Sequence, residues 1–231
     1  MLLENTSAVF KKMSHAAMRA GRRPEDVRLV AVSKTVDINV IKQACDVGLR
    51  AFGENKVQEA QSKVSRLRSE MPDIKVEWHM IGHLQRNKAR VAVGLFELIH
   101  SLDSEALAAD LDKAAGSLGK IQRVLIQVKL SEEETKSGIA EQKLESLAGK
   151  IADLRNLKLE GLMTMPPYFD NPELSRPYFR RLRELRDGLS NKGYALPELS
   201  MGMSHDFEIA IQEGATLVRV GTAIFGERRV A

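Results

Sequence analysis

The sequence predicts an α/β protein built as a single (β/α)8 TIM barrel with an extra N-terminal helix, and three observations predict it. Apolar β-rich runs alternate with amphipathic helical runs from one end to the other, the pattern of repeated βα units around a parallel sheet. Eight strand runs occur within 231 residues, a length that suits a fold of ~200 to ~250 residues. No Pro-, Gly- or Ser-rich linker divides the chain, since Pro166, Pro167 and Pro172 gather in one loop after the sixth strand run. The expectation is one domain over residues 1–231, with 1–26 as the N-terminal helix and lead-in.

Taken in order, MLLENTSAVFKKMSHAAMRAGRR reads as an amphipathic helix rather than a signal peptide, because Glu4, Asn5 and Thr6 interrupt any apolar core. VRLVAVS (27–33) is the first strand run, followed by a helical pattern over 37–47. LRAFGE (49–54) leads to a helical pattern over 55–69, and VEWHMIG (76–82) and LFELIHSL (95–102) are the third and fourth strand runs. A helical stretch over 104–117 separates these from IQRVLIQVKL (121–130). Then come a helix over 142–153, LKLEGLMTM (157–165), a helix over 174–190, LPELSMG (196–202), a helix over 206–212 and TLVRVG (216–221). A doubly wound open sheet is the alternative, but no GxGxxG follows the first strand run, as its dinucleotide-binding version requires.

Composition narrows the function classes. With 43% hydrophobic and 29% charged residues, and no apolar run of the ~18 residues that span a bilayer, a cytoplasmic chain without a membrane partner is expected. The net charge of +4 and pI near 9.2 come from dispersed basic residues with only 5% aromatics. Solvated helix faces explain that pattern better than a nucleic-acid surface, while phosphorylated small molecules remain compatible partners. The single cysteine, Cys45, excludes an internal disulfide and sits in a helical run where a buried structural thiol is expected.

In this fold the C-terminal ends of the strands and the loops after them build the active face. Lys34 falls after the first strand run, Asn55 after the second, and His79, Gly82 and His83 at the end of the third. As a single residue Lys34 has two open readings: a surface lysine, or an amine desolvated in the barrel wall and able to attack a carbonyl. LSMGMSHD (199–206) brings Ser200, Gly202 and Ser204 to the start of a helix, and VRVGTAIFG (218–226) brings Gly221 and Thr222 to another. Hydroxyls and free N–H groups at helix starts suit a phosphate, and the loops after strands seven and eight are this fold's usual phosphate site. Arg219 alternates with Val218 and Val220 and therefore faces the opposite side of its strand, as a cross-barrel ion-pair partner or a donor to a ligand ring. His79 and His83 have HxxxH spacing, but Gly82 intervenes and no HExxH glutamate is present, so no metal is expected. SEEETKSG (131–138) reads as a solvated loop that orders over the site through Lys136 and Gly138.

With Lys34, FGEN (52–55), WHMIGHLQRNK (78–88), GLMTM (161–165), LSMGMSHD and VRVGTAIFG set side by side, the chain resembles the single-domain YggS/PROSC family of pyridoxal phosphate homeostasis proteins. That family is related to the N-terminal barrel of alanine racemase, and the resemblance runs in order over residues 28 to 226. It implies pyridoxal 5′-phosphate (PLP) held as an aldimine on Lys34, phosphate contacts from Ser200, Gly202, Gly221 and Thr222, and Arg219 against the pyridine nitrogen. Asn55, His79 and Met165 match positions lining the pocket. The resemblance implies a monomeric carrier that stores, buffers or delivers PLP, with PLP-dependent apo-enzymes as recipients, and no catalytic residues. The alternative is a PLP-dependent amino-acid racemase, for which Tyr168 is the tyrosine nearest the active face. A phosphate-binding barrel enzyme without PLP is a third reading, and it leaves Lys34 and Arg219 without a joint purpose.

Overall fold

Eight parallel strands alternate with helices and close on themselves. The computed structural model describes residues 1–131 and 137–227. The strands are β1 (Arg28–Val32), β2 (Ala51–Glu54), β3 (Glu77–Met80), β4 (Leu98–Leu102), β5 (Gln122–Lys129), β6 (Leu157–Met163), β7 (Glu198–Ser200) and β8 (Leu217–Val220). Neighbours in sequence pair with one another, β4 pairs with β5, and β8 returns to β1, which makes the barrel. A two-residue strand, Ile139–Ala140, pairs with the end of β5. Closure removes the exposed strand edges that an open sheet would present.

The helices are α1 (Leu2–Arg19), α2 (Ile38–Asp46), α3 (Val57–Glu70), α4 (Ala89–Leu95), α5 (Glu105–Ser117), α6 (Leu144–Ala152), α7 (Arg176–Ser190), α8 (Phe207–Gln212) and α9 (Thr222–Phe225). Local chemistry sets several starts: Asp37 accepts from the Asn39 N–H at 2.8 Å, and Ser104 accepts from Leu107 N–H at 3.3 Å. Helix α4 is absent from the helical runs read off the periodicity, and it takes Leu95 from the expected fourth strand run. Its sequence ARVAVGL carries two valines and a glycine; burial of Ala89, Ala92 and Val93 overrides that weak propensity.

Period-two alternation sorts the strand residues into two cores. Leu29, Ala31, Val218 and Val220 join the layer between sheet and helices, whereas Val30, Leu98, Leu125, Met163 and Leu217 fill the barrel interior. Cys45 is a free, buried thiol in the outer layer. The N-terminal helix braces the last βα unit. Val9, Met13, Ala16 and Ala17 make its buried face, it packs on α8 and α9, and Asn5 Nδ2 donates to the Ile224 carbonyl at 3.1 Å.

Close approach of β6 and β7 depends on Gly161, where a Cβ would lie 1.9 Å from the Glu198 carbonyl oxygen. Backbone on both sides has nowhere to move. Gly161→Ala is expected to lower stability by about 3 kcal/mol, read as a reduced urea midpoint with an unchanged slope.

Candidate functional site

Pairing ends at Val32 on β1 and at Met80 on β3, so the residues just beyond leave the sheet at the C-terminal mouth of the barrel. There they surround a cavity of about 460 Å³. Lys34, Asn55, Met165, Arg219, Gly221 and Thr222 all line it, six of the positions that the sequence singled out. His79, Ser200 and Gly202 do not line it. Val32, Ile81, Gly82, His83, Gln127 and Met203 complete much of the wall, with Tyr168, Ser204 and His205 on the loops above α7 and α8.

Lys34 rides on a tight turn. Thr35 has φ 62°, alone among the described non-glycine residues in the left-handed region, where a β-branched side chain is strained. Polar contacts hold it from behind: the Thr35 N–H donates to Glu59 Oε1 at 2.5 Å, and Lys63 Nζ donates to the Ser33 carbonyl at 2.6 Å. Ser33 Oγ donates to Glu54 Oε1 at 2.6 Å, and the same oxygen accepts from Lys63 at 2.8 Å. Burial pushes the Glu54 carboxyl above its ordinary value, against the pull of Lys63 and Ser33.

On the adjacent strand β8, with Val30 of β1 as its register partner, Arg219 is buried inside the barrel at 3% exposure. Its Nη1 donates to Ser200 Oγ at 2.5 Å and its Nη2 to the Thr164 carbonyl at 2.9 Å. Burial lowers its pKa to about 10, with Asp206 opposing, so the guanidinium stays charged at neutral pH. Ser200 also meets His100 Nδ1 at 2.8 Å, His100 Nε2 meets His79 Nδ1 at 2.9 Å, and His79 Nε2 lies 3.4 Å from Glu77 Oε2. Arginine only donates and a carboxylate only accepts, so both ends of this line are fixed. The arrangement that satisfies every link has Ser200 donating to His100 and each imidazole carrying its proton on Nε2. His79 therefore belongs to the barrel interior, and it borders a second cavity at the opposite end with Arg28 and Glu77.

The third feature is an anion-ready corner. Ser204 Oγ accepts from the N–H groups of Gly221 at 3.2 Å and Ala223 at 3.4 Å, where α9 begins. Ser204, rather than Ser200, is thus the serine at the cavity. Gly202 makes the turn between them possible: φ is +91°, and a Cβ would come within 2.5 Å of Ala210 Cβ. The bonded pair formed by Asp206 Oδ1 and the Met203 N–H, 2.7 Å apart, fixes the same loop.

Tyr168 is 73% exposed and stacks on His205, with ring centroids 5.4 Å apart. His83 pairs with Asp103 at 3.6 Å, whereas the polar partners of His79 are His100 and Glu77; among the described residues no group of three or more His, Cys, Asp or Glu is placed to hold a metal. Ser137 reaches the cavity wall and its carbonyl accepts from Gln127 Nε2 at 2.7 Å. Lys136, expected to close over the site, lies outside the described residues. Chemically the cavity joins an amine, a fixed cation and a set of N–H and O–H groups, a donor set for a phosphorylated carbonyl compound.

The chain matches the family model described as "Alanine racemase, N-terminal domain" over residues 6–229. A pyridoxal phosphate homeostasis protein of Aquifex aeolicus is 48% identical over 98% of both chains, and one from Escherichia coli is 41% identical over 98% of this chain and 97% of that one. PipY of Synechococcus elongatus, solved with PLP bound, superposes with a TM-score of 0.85 at 37% identity, covering 98% of this chain and 100% of that chain. Alanine racemase of Clostridium difficile shares the fold, with a TM-score of 0.71 at 15% identity over 57% of its length.

Burial holds His100 well below its ordinary value of 6.5, helped by His79 and Arg219. The unfolded chain therefore takes up the proton first. His100 contributes stability that is complete above about pH 6.5 and lost as pH falls below it. Between pH 6.5 and 5 this group is expected to lower the folding free energy by up to about 1.4 kcal/mol per unit, and His100→Gln should remove that part of the slope in urea titrations.

Proposed function

The chain belongs to the alanine racemase N-terminal-domain family, in its pyridoxal phosphate homeostasis branch, and from that membership we propose that it binds PLP on Lys34 and takes part in PLP homeostasis. The observation that carries this reading is the joint presence, around one cavity, of Lys34, the buried Arg219 and the Ser204, Gly221 and Thr222 corner. PLP supplies an aldehyde with which a lysine amine condenses, a C=N bond forming as the carbonyl oxygen leaves with both amine protons as water.

Each residue has a task that follows from its position. Lys34 presents the amine from the β1 side of the cavity. The corner at the start of α9 would hold the phosphate through the Ser204 and Thr222 hydroxyls, with Ser204 itself kept in place by the Gly221 and Ala223 N–H groups. Met165, Ile81 and Val32 supply apolar walls for the ring, and Asn55 borders it from the end of β2. Arg219 donates toward the pyridine nitrogen, and Ser200 and Thr164 keep its fork from rotating. Its permanent charge leaves no room for a second proton on that nitrogen, which weakens the ring as an electron sink.

That weakening, and the exposed, stacked position of Tyr168, support a carrier over a catalyst. Tyr168 lines the same cavity, which keeps racemisation as the second reading; exchange of the alanine α-proton, lost in Tyr168→Phe, would establish it. The proposal extends to a monomer of one domain over residues 1–231, working in the cytoplasm and passing PLP to dependent apo-enzymes. In support, no helix among the described residues is long and apolar enough to cross a membrane, and the barrel closes with strands drawn from residues 28 to 220.

Absorbance with added PLP, then borohydride reduction and peptide mapping, tests the reading. A visible band and a pyridoxyl group on Lys34 are expected; no band and no modification would reject it. Lys34→Ala should lose the covalent adduct yet retain phosphate-driven binding, and Arg219→Glu should shift the band by letting the pyridine nitrogen protonate.

A further inference from the structure

The strained turn that carries Lys34 is closed by one backbone hydrogen bond, from the Val36 N–H to the Ser33 carbonyl at 3.0 Å. Thr35 holds φ 62°, and its own Oγ1 reaches only the Lys34 carbonyl at 2.6 Å. Its side-chain support on the Thr35 side comes from α3, a helix with no residue in the cavity wall. Lys63, 8% exposed, directs its ammonium to the Ser33 carbonyl at 2.6 Å, to Glu54 Oε1 at 2.8 Å and to Glu59 Oε1 at 2.6 Å. Three N–H donors meet three acceptors. Glu59 Oε1 in turn takes the Thr35 N–H at 2.5 Å, so one carboxylate oxygen joins the ammonium to the strained residue itself. Glu54 is fully buried, and Ser33 donates to it at 2.6 Å, which ties the other end of the turn to β2.

We propose that Glu59 and Lys63 are positioning residues: they hold the Ser33–Thr35 turn in its left-handed form and thereby aim Lys34 into the cavity. The inference rests on the reading that Lys34 captures PLP, and it adds that capture is set by a clamp outside the site. Glutamate and lysine four apart on a helix normally form a solvated pair. Here the pair faces inward, and its polar atoms bracket the residue on each side of Lys34.

The test compares Glu59→Ala, Glu59→Gln and Thr35→Gly, alone and with Glu59→Ala. Glu59 is half-buried, which makes these variants milder than a change at Lys63. Glutamine keeps an acceptor for the Thr35 N–H and alanine does not, while glycine adopts a positive φ without strain. Three quantities are read: the rate of PLP capture by absorbance, the affinity for pyridoxine 5′-phosphate, which has no aldehyde, and acylation of Lys34 in PLP-free protein by peptide mapping. Glu59→Ala should slow capture roughly tenfold or more and change Lys34 acylation, with pyridoxine 5′-phosphate affinity within about threefold of the parent. Glu59→Gln should stay close to the parent, and Thr35→Gly should restore most of the rate that Glu59→Ala removes. Parent-like capture and acylation in Glu59→Ala, or equal losses in the alanine and glutamine variants, would overturn the clamp. Failure of the parent protein to capture PLP would reject the proposed function instead, and Lys34 acylation would still report whether Glu59 aims the amine.

Discussion

A guanidinium sealed inside a barrel sets the terms for the residues around it. Arg219 cannot shed its charge at neutral pH even though burial pulls its pKa down to about 10, so its N–H groups must find acceptors inside the protein. Two are supplied by the neighbouring strands in order: the Ser200 hydroxyl at the end of β7 and the Thr164 carbonyl just past β6. Asp206, at the start of α8, contributes the opposing charge. Ser200 must then pass its own proton onward, which explains why the interior below it holds two histidines where a barrel core usually holds branched apolar residues. The line ends only where Glu77 reaches the far end of the barrel and can accept without donating.

Lys34 is held by the reverse logic. Arg219 is fixed by acceptors that surround its head, whereas Lys34 is fixed through its backbone, with the Glu54, Glu59 and Lys63 cluster behind the turn. The result is two basic side chains facing one cavity from the adjacent strands β1 and β8, beside the Ser204 corner at the start of α9. Such a field favours an anionic ligand over a neutral one of the same shape. A rigid carbonyl compound with a phosphate at one end and an acceptor at the other would satisfy all three sides together.

Much of this was legible in the sequence. The alternation of Val218, Arg219 and Val220 gave the inward direction of Arg219, and the strand runs put Lys34, Asn55 and Met165 at the mouth. Depth inside the barrel was not legible. His79 and Ser200 both face inward, yet they sit where Leu98 and Leu217 are their register partners, one layer beneath the cavity. LSMGMSHD holds two serines, and only the positive φ of Gly202 decides that Ser204 reaches the α9 corner. Helix α4 was hidden because its valines and glycine carry no helical signature. Glu59 and Lys63 were hidden for another reason: an i, i+4 ion pair looks the same in sequence whether it faces solvent or a strained turn.

The direction of the interior hydrogen bonds bears on what the site does with a bound ring. From Arg219 to Glu77 every link donates the same way, and chains of aligned hydrogen bonds polarise one another. Reversing one link would force all the others to reverse, leaving Ser200 without an acceptor for its proton and the Glu77 carboxylate facing a ring nitrogen lone pair. The chain thus has one stable polarity, and it presents Arg219 to the cavity as a donor. A donor that stays protonated can bond a pyridine nitrogen but does not transfer a proton to it. The electron-withdrawing power that a protonated ring brings to bond cleavage at a substrate carbon is therefore not developed, while the aldehyde chemistry at the other side of the ring is untouched. Under the proposed function, a site with this polarity would keep the capturing step and weaken the one that follows, which is the property a carrier needs.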